Sequence, residues 1–141
     1  MTIKEAMHKP TFVRKTATIE QVAGVMDKKD IGSVIVGTKE KAEGLFSERD
    51  IVKKILSKGV NPKKAQVKDY MTSPLCTINV SKRLVDAMTV MTQRRIRRLP
   101  VEDNGVIVGM LSIRSVSQNM KYSYLRARVI PNVREKFSSF W

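Results

Sequence analysis

The chain repeats itself, and the repeat limits the architecture before any single residue is interpreted. A shift of 65 residues superposes Val25 on Val90, Met26 on Met91, Ile31 on Ile96 and Val36 on Val101. The same shift superposes Gly44 on Gly109, Ser47 on Ser112 and Arg49 on Arg114, with no gap between residues 19 and 115. Upstream, Ile3-Lys4-Glu5-Ala6-Met7 echoes Val67-Lys68-Asp69-Tyr70-Met71 once one residue slips in the linker. Ordered matches with the same physical role at each position indicate two copies of one unit. The chain is thereby read as a first unit over residues 1–60, a second over 61–120 and a tail over 121–141. A unit of about 60 residues is marginal alone, so the copies are expected to pack sheet to sheet and leave a cleft between them.

Each copy reads β-α-β-β-α. Val22, Val25 and Met26, like Leu84, Ala87, Met88 and Met91, follow the i, i+3, i+4, i+7 spacing of an amphipathic helix. Short extended pieces precede these helices at Thr11–Val13 and Leu75–Ile78. Strands are predicted at Ser33–Val36 and Leu99–Val101, and a second strand of the hairpin at Val106–Leu111. Asp103-Asn104-Gly105 is a strong hairpin turn, whereas residues 38–43 specify theirs less well. A closing helix is predicted from Glu48 to about Ser57, with Ile51, Val52, Ile55 and Leu56 apolar, and from Ile113 to about Tyr122. The fold class is α/β (α+β), two such units related by a pseudo-two-fold axis with a C-terminal extension.

Charge narrows the partners. The 141 residues carry 27 Lys+Arg against 13 Asp+Glu, a formal net charge of +14, which favours polyanions. Residues 1–70 hold thirteen Lys and two Arg, residues 71–141 three Lys and nine Arg. Arginine grips phosphate with a planar fork where lysine offers a mobile point charge, so an oriented phosphate is sought in the second half. With Cys76 and His8 the only residues of their types, a disulfide framework and a Cys/His zinc site are excluded. No apolar run approaches the roughly 20 residues of a membrane span, and a cytoplasmic protein is expected. Cys76 reads as a buried thiol and His8 as a surface linker residue.

The segment Gly44-Leu45-Phe46-Ser47-Glu48-Arg49-Asp50 ends the last strand of copy one, and Gly109-Met110-Leu111-Ser112-Ile113-Arg114-Ser115 ends that of copy two. With the β-α-β-β-α order and the phrase Arg97-Arg98-Leu99-Pro100-Val101, this resembles a tandem pair of cystathionine β-synthase (CBS) domains, a Bateman module. The resemblance covers residues 1 to about 120. It implies a regulatory module, not an enzyme, with no resident cofactor. Such a module senses an adenosyl ligand (AMP, ADP, ATP or S-adenosylmethionine), often as a homodimer, and a separate effector protein reads the change. Carried over by position, an intact cleft would use Leu45, Ser47 and Asp50 from copy one with Leu75, Cys76, Arg98 and Pro100 from copy two. There Asp50 would take the ribose hydroxyls, Arg98 the phosphate, and the apolar residues the base. A companion cleft of Thr11, Phe12, Ile35, Ser112 and Ser115 would be weaker. It lacks the diol acceptor at Ser115, and Ser33 stands where Arg98 would be needed.

Other readings compete at the same residues. Ser47 and Asp50 have capping-box spacing, which is at least as good an account of them as ribose binding, and both can hold together. As a bare string Arg94-Arg95-Ile96-Arg97-Arg98 is a solvated helix end; its place before a core strand favours Arg97 or Arg98 facing the cleft. The tail from Met120 holds the only Trp, two of three Tyr and two of four Phe, interleaved with Arg. It suits either stacking on nucleic acid, the rival partner class, or docking on a dimer mate. No glycine-rich phosphate loop or nucleophile–base pair is present in the sequence.

Overall fold

The computed structural model describes residues 2–119; the aromatic tail lies outside the described residues. Two three-stranded sheets carry the fold. The first has strand order β1 (Phe12–Val13), β2 (Ser33–Gly37), β3 (Ala42–Ser47), and the second β4 (Ile78–Asn79), β5 (Arg98–Asp103), β6 (Val106–Ser112). In each sheet the first strand pairs parallel with the second through a helical crossover, α2 (Ile19–Lys29) or α4 (Leu84–Arg94), and the second pairs antiparallel with the third. The sheets share a core of Ile35, Ile107 and Met110 with Phe12, Leu45 and Leu75 packed against it, so the copies do meet sheet to sheet.

Local chemistry accounts for these elements. Thr18 caps α2, its Oγ1 accepting the Gln21 amide at 3.2 Å while Gln21 Oε1 accepts the Thr18 amide at 3.0 Å. Both crossover helices stop on a left-handed residue, Asp30 or Arg95, each with φ 53°. The Asn104-Gly105 turn has φ 50° and 80°, the positive values that a two-residue hairpin requires. Both second strands carry a register irregularity at the same repeat position, Val36/Gly37 and Val101/Glu102.

The closing helix of copy one departs from expectation. Glu48–Asp50 (α3) is α-helical, but Ile51–Leu56 continues as a π-helix. The wider turn, sealed by Ser57 N–H to Val52 O and Val60 N–H to Ile55 O (both 3.0 Å), buries Ile55 fully. It leaves Val52 and Leu56 58% and 66% exposed, so the apolar run does not all face the core. In copy two, residues 113–119 are helical.

The N-terminal pieces of the copies are exchanged. A short helix, α1 (Ile3–Ala6), lies in the core of copy two, where Ile3 and Ala6 are buried with Leu84, Ala87 and Leu99. Its echo, Val67 with Tyr70 and Met71, packs into the core of copy one with Val34, Val36 and Phe46. Each crossing segment then bridges the last strand of the copy it joins. His8 and Met110 exchange two backbone hydrogen bonds of 2.9 Å, and Thr72 and Leu45 exchange a pair of 2.8 and 3.0 Å. Gly44 and Gly109 make the crossings feasible. A Cβ on Gly44 would lie 2.7 Å from Met71 Sδ and 2.8 Å from Thr72 O, and one on Gly109 would run into the Met7 side chain. The glycine of the signature is therefore a spacing device for the exchanged segment. Among the described residues, no helix is long and apolar enough to cross a membrane.

Candidate functional site

The end of β3 and the start of α3 face the C-terminal end of α4 and the start of β5 across a cavity of about 670 Å³. Leu45, Ser47 and Asp50 line one side and Arg98 the other, so four of the seven residues assigned to the intact cleft converge there. The other three do not line it. Leu75 joins the inter-sheet core, Cys76 packs half-buried against the core of copy two, and Pro100 is buried in β5 opposite Met110.

Asp50 does two jobs at once. Its Oδ2 accepts the Ser47 amide at 2.9 Å and the Ser47 hydroxyl at 3.1 Å, while Ser47 Oγ receives the Asp50 amide at 3.4 Å. Its Oδ1 lies 3.3 Å from Lys54 Nζ, which also donates to Tyr70 O at 2.8 Å. The capping box is thus formed and is tied to the exchanged segment. A carboxylate offers about four acceptor sites and three are taken, so one stays open to a ribose hydroxyl and the second hydroxyl of a diol would have to displace Lys54.

The basic run contributes more than Arg98. Arg95 and Arg97 line the cavity with Ile96, and Arg49 faces them from α3. None of these four guanidinium groups is in an ion pair among the described residues, whose salt bridges are Lys39–Glu40, Lys54–Asp50 and Arg83–Asp86. Four unpaired guanidinium groups against Asp50 and Glu48 give the cavity a positive balance suited to an anion. Sequence reasoning singled out Arg97 and Arg98 but missed Thr72 and Thr92. Thr72 reaches the cavity because the exchanged segment bridges Leu45.

The companion cleft is different in kind. Its cavity is about 180 Å³, with Thr11 and Ser112 on its wall. Phe12 and Ile35 are instead consumed by the inter-sheet core. Ser115 occupies the place of Asp50 as a cap: Ser112 N–H donates to Ser115 Oγ at 3.1 Å, Ser115 N–H to Ser112 Oγ at 3.0 Å, and the Ser115 hydroxyl to Ser112 O at 3.0 Å. The expected absence of an arginine is corrected, because Arg98 itself reaches this cavity as well, beside Ser33. Pockets for small organic ligands run from about 300 to 1,000 Å³, which admits the large cavity and excludes the small one. Among the described residues, no group of three His, Cys, Asp or Glu side chains is placed to hold a metal.

Comparison with known proteins identifies the family. The family model of the CBS domain matches twice, over residues 3–57 and 67–122. The chain is a tandem CBS-domain protein. An uncharacterized protein of Methanopyrus kandleri is 32% identical over 127 residues, which cover 89% of this chain and 62% of that protein. A mitochondrial CBS domain-containing protein of Arabidopsis thaliana is 32% identical over 104 residues, 70% of this chain and 50% of that one. The chain therefore spans about half to two thirds of the length of these curated relatives. A hexameric CBS-CP12 protein from bloom-forming cyanobacteria superposes with a TM-score of 0.77 at 27% identity, covering 83% of this chain and 66% of that one. Tandem CBS domains are commonly regulatory ligand-binding modules, and the two units here form that architecture.

Proposed function

We propose that this CBS pair is a regulatory module that binds an adenosyl ligand (AMP, ADP, ATP or S-adenosylmethionine) in the large cavity. Binding would shift the relative placement of its units or protomers, and a separate effector protein would read that shift. One juxtaposition carries the proposal: Asp50 and Ser47 from copy one face Arg98 from copy two across a cavity of nucleoside dimensions. The carboxylate suits a ribose hydroxyl, the guanidinium suits a phosphate, and Leu45 and Ile96 offer apolar wall to a flat base. A ligand moves the protein only through unequal affinity for two of its states, so an effector must see whichever state the ligand prefers. Val52 and Leu56, exposed on the outer face of the π-helical turn, supply an apolar contact for a homodimer.

Equilibrium titration with AMP, ATP and S-adenosylmethionine tests the reading. Asp50→Ala is expected to weaken binding by about 1–3 kcal/mol, roughly 5- to 150-fold in Kd. Silence with all three ligands, or unchanged affinity in the variant, refutes it. The net charge of +14 favours a second reading, direct binding of a nucleic acid. In that case log affinity falls with log salt by a slope of roughly −0.7 to −0.9 per phosphate neutralised. An adenosyl ligand, engaging one arginine fork, shows a far shallower slope.

A further inference from the structure

The two cavities are not independent, because one arginine lies between them. Arg98 and Gly32 line both the cavity of about 670 Å³ and that of about 180 Å³. Position 33, the repeat equivalent of 98, is a buried serine, so the pseudo-two-fold axis has one guanidinium where symmetry would allow two. Arg98 is half-buried, and its only hydrogen bond among the described residues is a long one, Nη1 to Arg97 O at 3.3 Å. A Cβ on Gly32 would lie 2.6 Å from Glu48 Oε1 and 2.8 Å from Arg98 Nη2, so the absent side chain at Gly32 leaves room for the fork beside the Glu48 carboxylate.

The small cavity has the chemistry of an oxyanion site without room for a nucleoside. Lys9 and Arg98 bring positive charge to it, and Thr11, Ser33 and Ser112 bring hydroxyl donors, against one carboxylate, Asp30. His8 stands at its edge, with Nδ1 3.4 Å from Lys9 O. Lys9, Thr11, Ser33 and Ser112 do not line the large cavity, so Arg98 is the only cation common to both.

We propose that the small cavity binds a small inorganic oxyanion, of the phosphate or sulfate class, and that this anion and the phosphate of the adenosyl ligand exclude one another by competing for Arg98. The proposal rests on the adenosyl reading of the large cavity. A bidentate grip aims the fork at one tetrahedral anion, and two anions flanking Arg98, one beside Lys9 and the other beside Arg49, Arg95 and Arg97, would share that fork and repel one another across it. Coupling between sites is reciprocal, so each anion weakens the other by the same factor. The module would then respond to the ratio of nucleotide to free oxyanion.

The test is calorimetric titration of the full chain with AMP and with adenosine, in chloride and in inorganic phosphate at equal ionic strength, for the wild type, Lys9→Ala and Arg98→Ala. In the wild type, phosphate is expected to raise the Kd for AMP by about fivefold or more and to leave adenosine unaffected. Lys9 touches only the small cavity, so Lys9→Ala should keep AMP affinity in chloride and lose the antagonism. Arg98→Ala should weaken AMP and also lose the antagonism. Antagonism that persists unchanged in Lys9→Ala means that phosphate competes inside the large cavity, and it overturns the exclusion alone. Absence of any antagonism in the wild type overturns it too. If neither AMP nor adenosine binds, the adenosyl reading falls and the exclusion falls with it.

Discussion

Gly44→Ala and Gly109→Ala occupy equivalent positions in the repeat, yet they should differ sharply in cost. Neither glycine has a positive φ, so the issue is space and not backbone conformation. At Gly109 the three nearest neighbours of an added Cβ are all in the Met7 side chain, with Cγ at 2.9 Å and Cβ at 3.1 Å. That chain is unbranched and can turn aside. At Gly44 the new methyl also meets Thr72 O at 2.8 Å, a backbone atom held by the Leu45 amide at 3.0 Å. Overpacking costs about 1–3 kcal/mol, and weakening the Leu45–Thr72 bridge adds about 0.5–1.5 kcal/mol. Replacing glycine by alanine returns about 0.4–1 kcal/mol through the unfolded chain. Gly44→Ala should thus lose about 2–3 kcal/mol, whereas Gly109→Ala should lose at most about 1 kcal/mol.

Urea and thermal unfolding followed by far-ultraviolet circular dichroism measure the difference, at about 4 °C of Tm per kcal/mol for a chain of this size. A double-mutant cycle sharpens it. Met7→Ala should remove most of the cost of Gly109→Ala, while Met71→Ala should leave much of the cost of Gly44→Ala, because the Thr72 carbonyl stays in place. Equal penalties at the two glycines, or full rescue of Gly44→Ala by Met71→Ala, would show that the backbone bridge is not what the glycine protects.

Three further outcomes follow from the same geometry. Ser115→Asp should raise Tm slightly, because a carboxylate caps Ser112 more strongly near the start of helical residues 113–119, an effect of about 0.3–1 kcal/mol; nucleotide stoichiometry should stay at one per chain, and a second equivalent by calorimetry would contradict the volume argument. Asp86 is held below the usual carboxylate range by the Arg83 side chain and then by its backbone amide at 2.9 Å. A depressed carboxyl contributes stability above its unfolded value and loses it as pH falls through the folded one, so Asp86→Asn should flatten the dependence of the urea midpoint below about pH 4; an unaltered slope would refute the pairing. Val52→Lys with Leu56→Lys should convert the proposed homodimer to a monomer in sedimentation velocity with Tm preserved, since both side chains are already mostly exposed; an unchanged sedimentation coefficient would remove this face from the proposed interface.

The parts of this molecule that could be read in the sequence are those decided by neighbours a few residues away. Helix periodicity around Val22 and Leu84, the Asn104-Gly105 turn and the Ser47/Asp50 cap depend on spacings of two to four residues, and the structure carries all of them. Repeat matching also paired Ile3–Met7 with Val67–Met71, but equivalence does not say which core a segment enters. Both enter the other copy's core, a choice made by residues far beyond the local window, Met110 for His8 and Leu45 for Thr72. The same limit explains the site. Ser47, Asp50 and Arg98 were legible because each belongs to a local signature, whereas Thr72 was not, since it arrives by way of the exchange. Leu75 and Phe12 looked like base-stacking walls because both are apolar and precede a helix, and packing between the sheets claims them first.

The duplication also provides an internal control for the double role of Asp50. Copy two forms its cap with Ser115, whose hydroxyl accepts the Ser112 amide at 3.1 Å, so the turn from β6 into the following helix closes without a carboxylate. Capping alone therefore does not require an acid at this place in the fold. Copy one nevertheless has Asp50, a group 16% exposed, with one oxygen committed to Ser47 and the other beside Lys54. It faces the larger cavity and the side of the axis on which the repeat equivalent of Ser33 has become Arg98. Asp50 and Arg98 are two of the departures from repeat symmetry that add charge here, with Glu48 against Ile113 and Arg97 against Gly32, and these two meet across one cavity. A fold that needed these positions only for packing would have no reason to place both charges around the same 670 Å³.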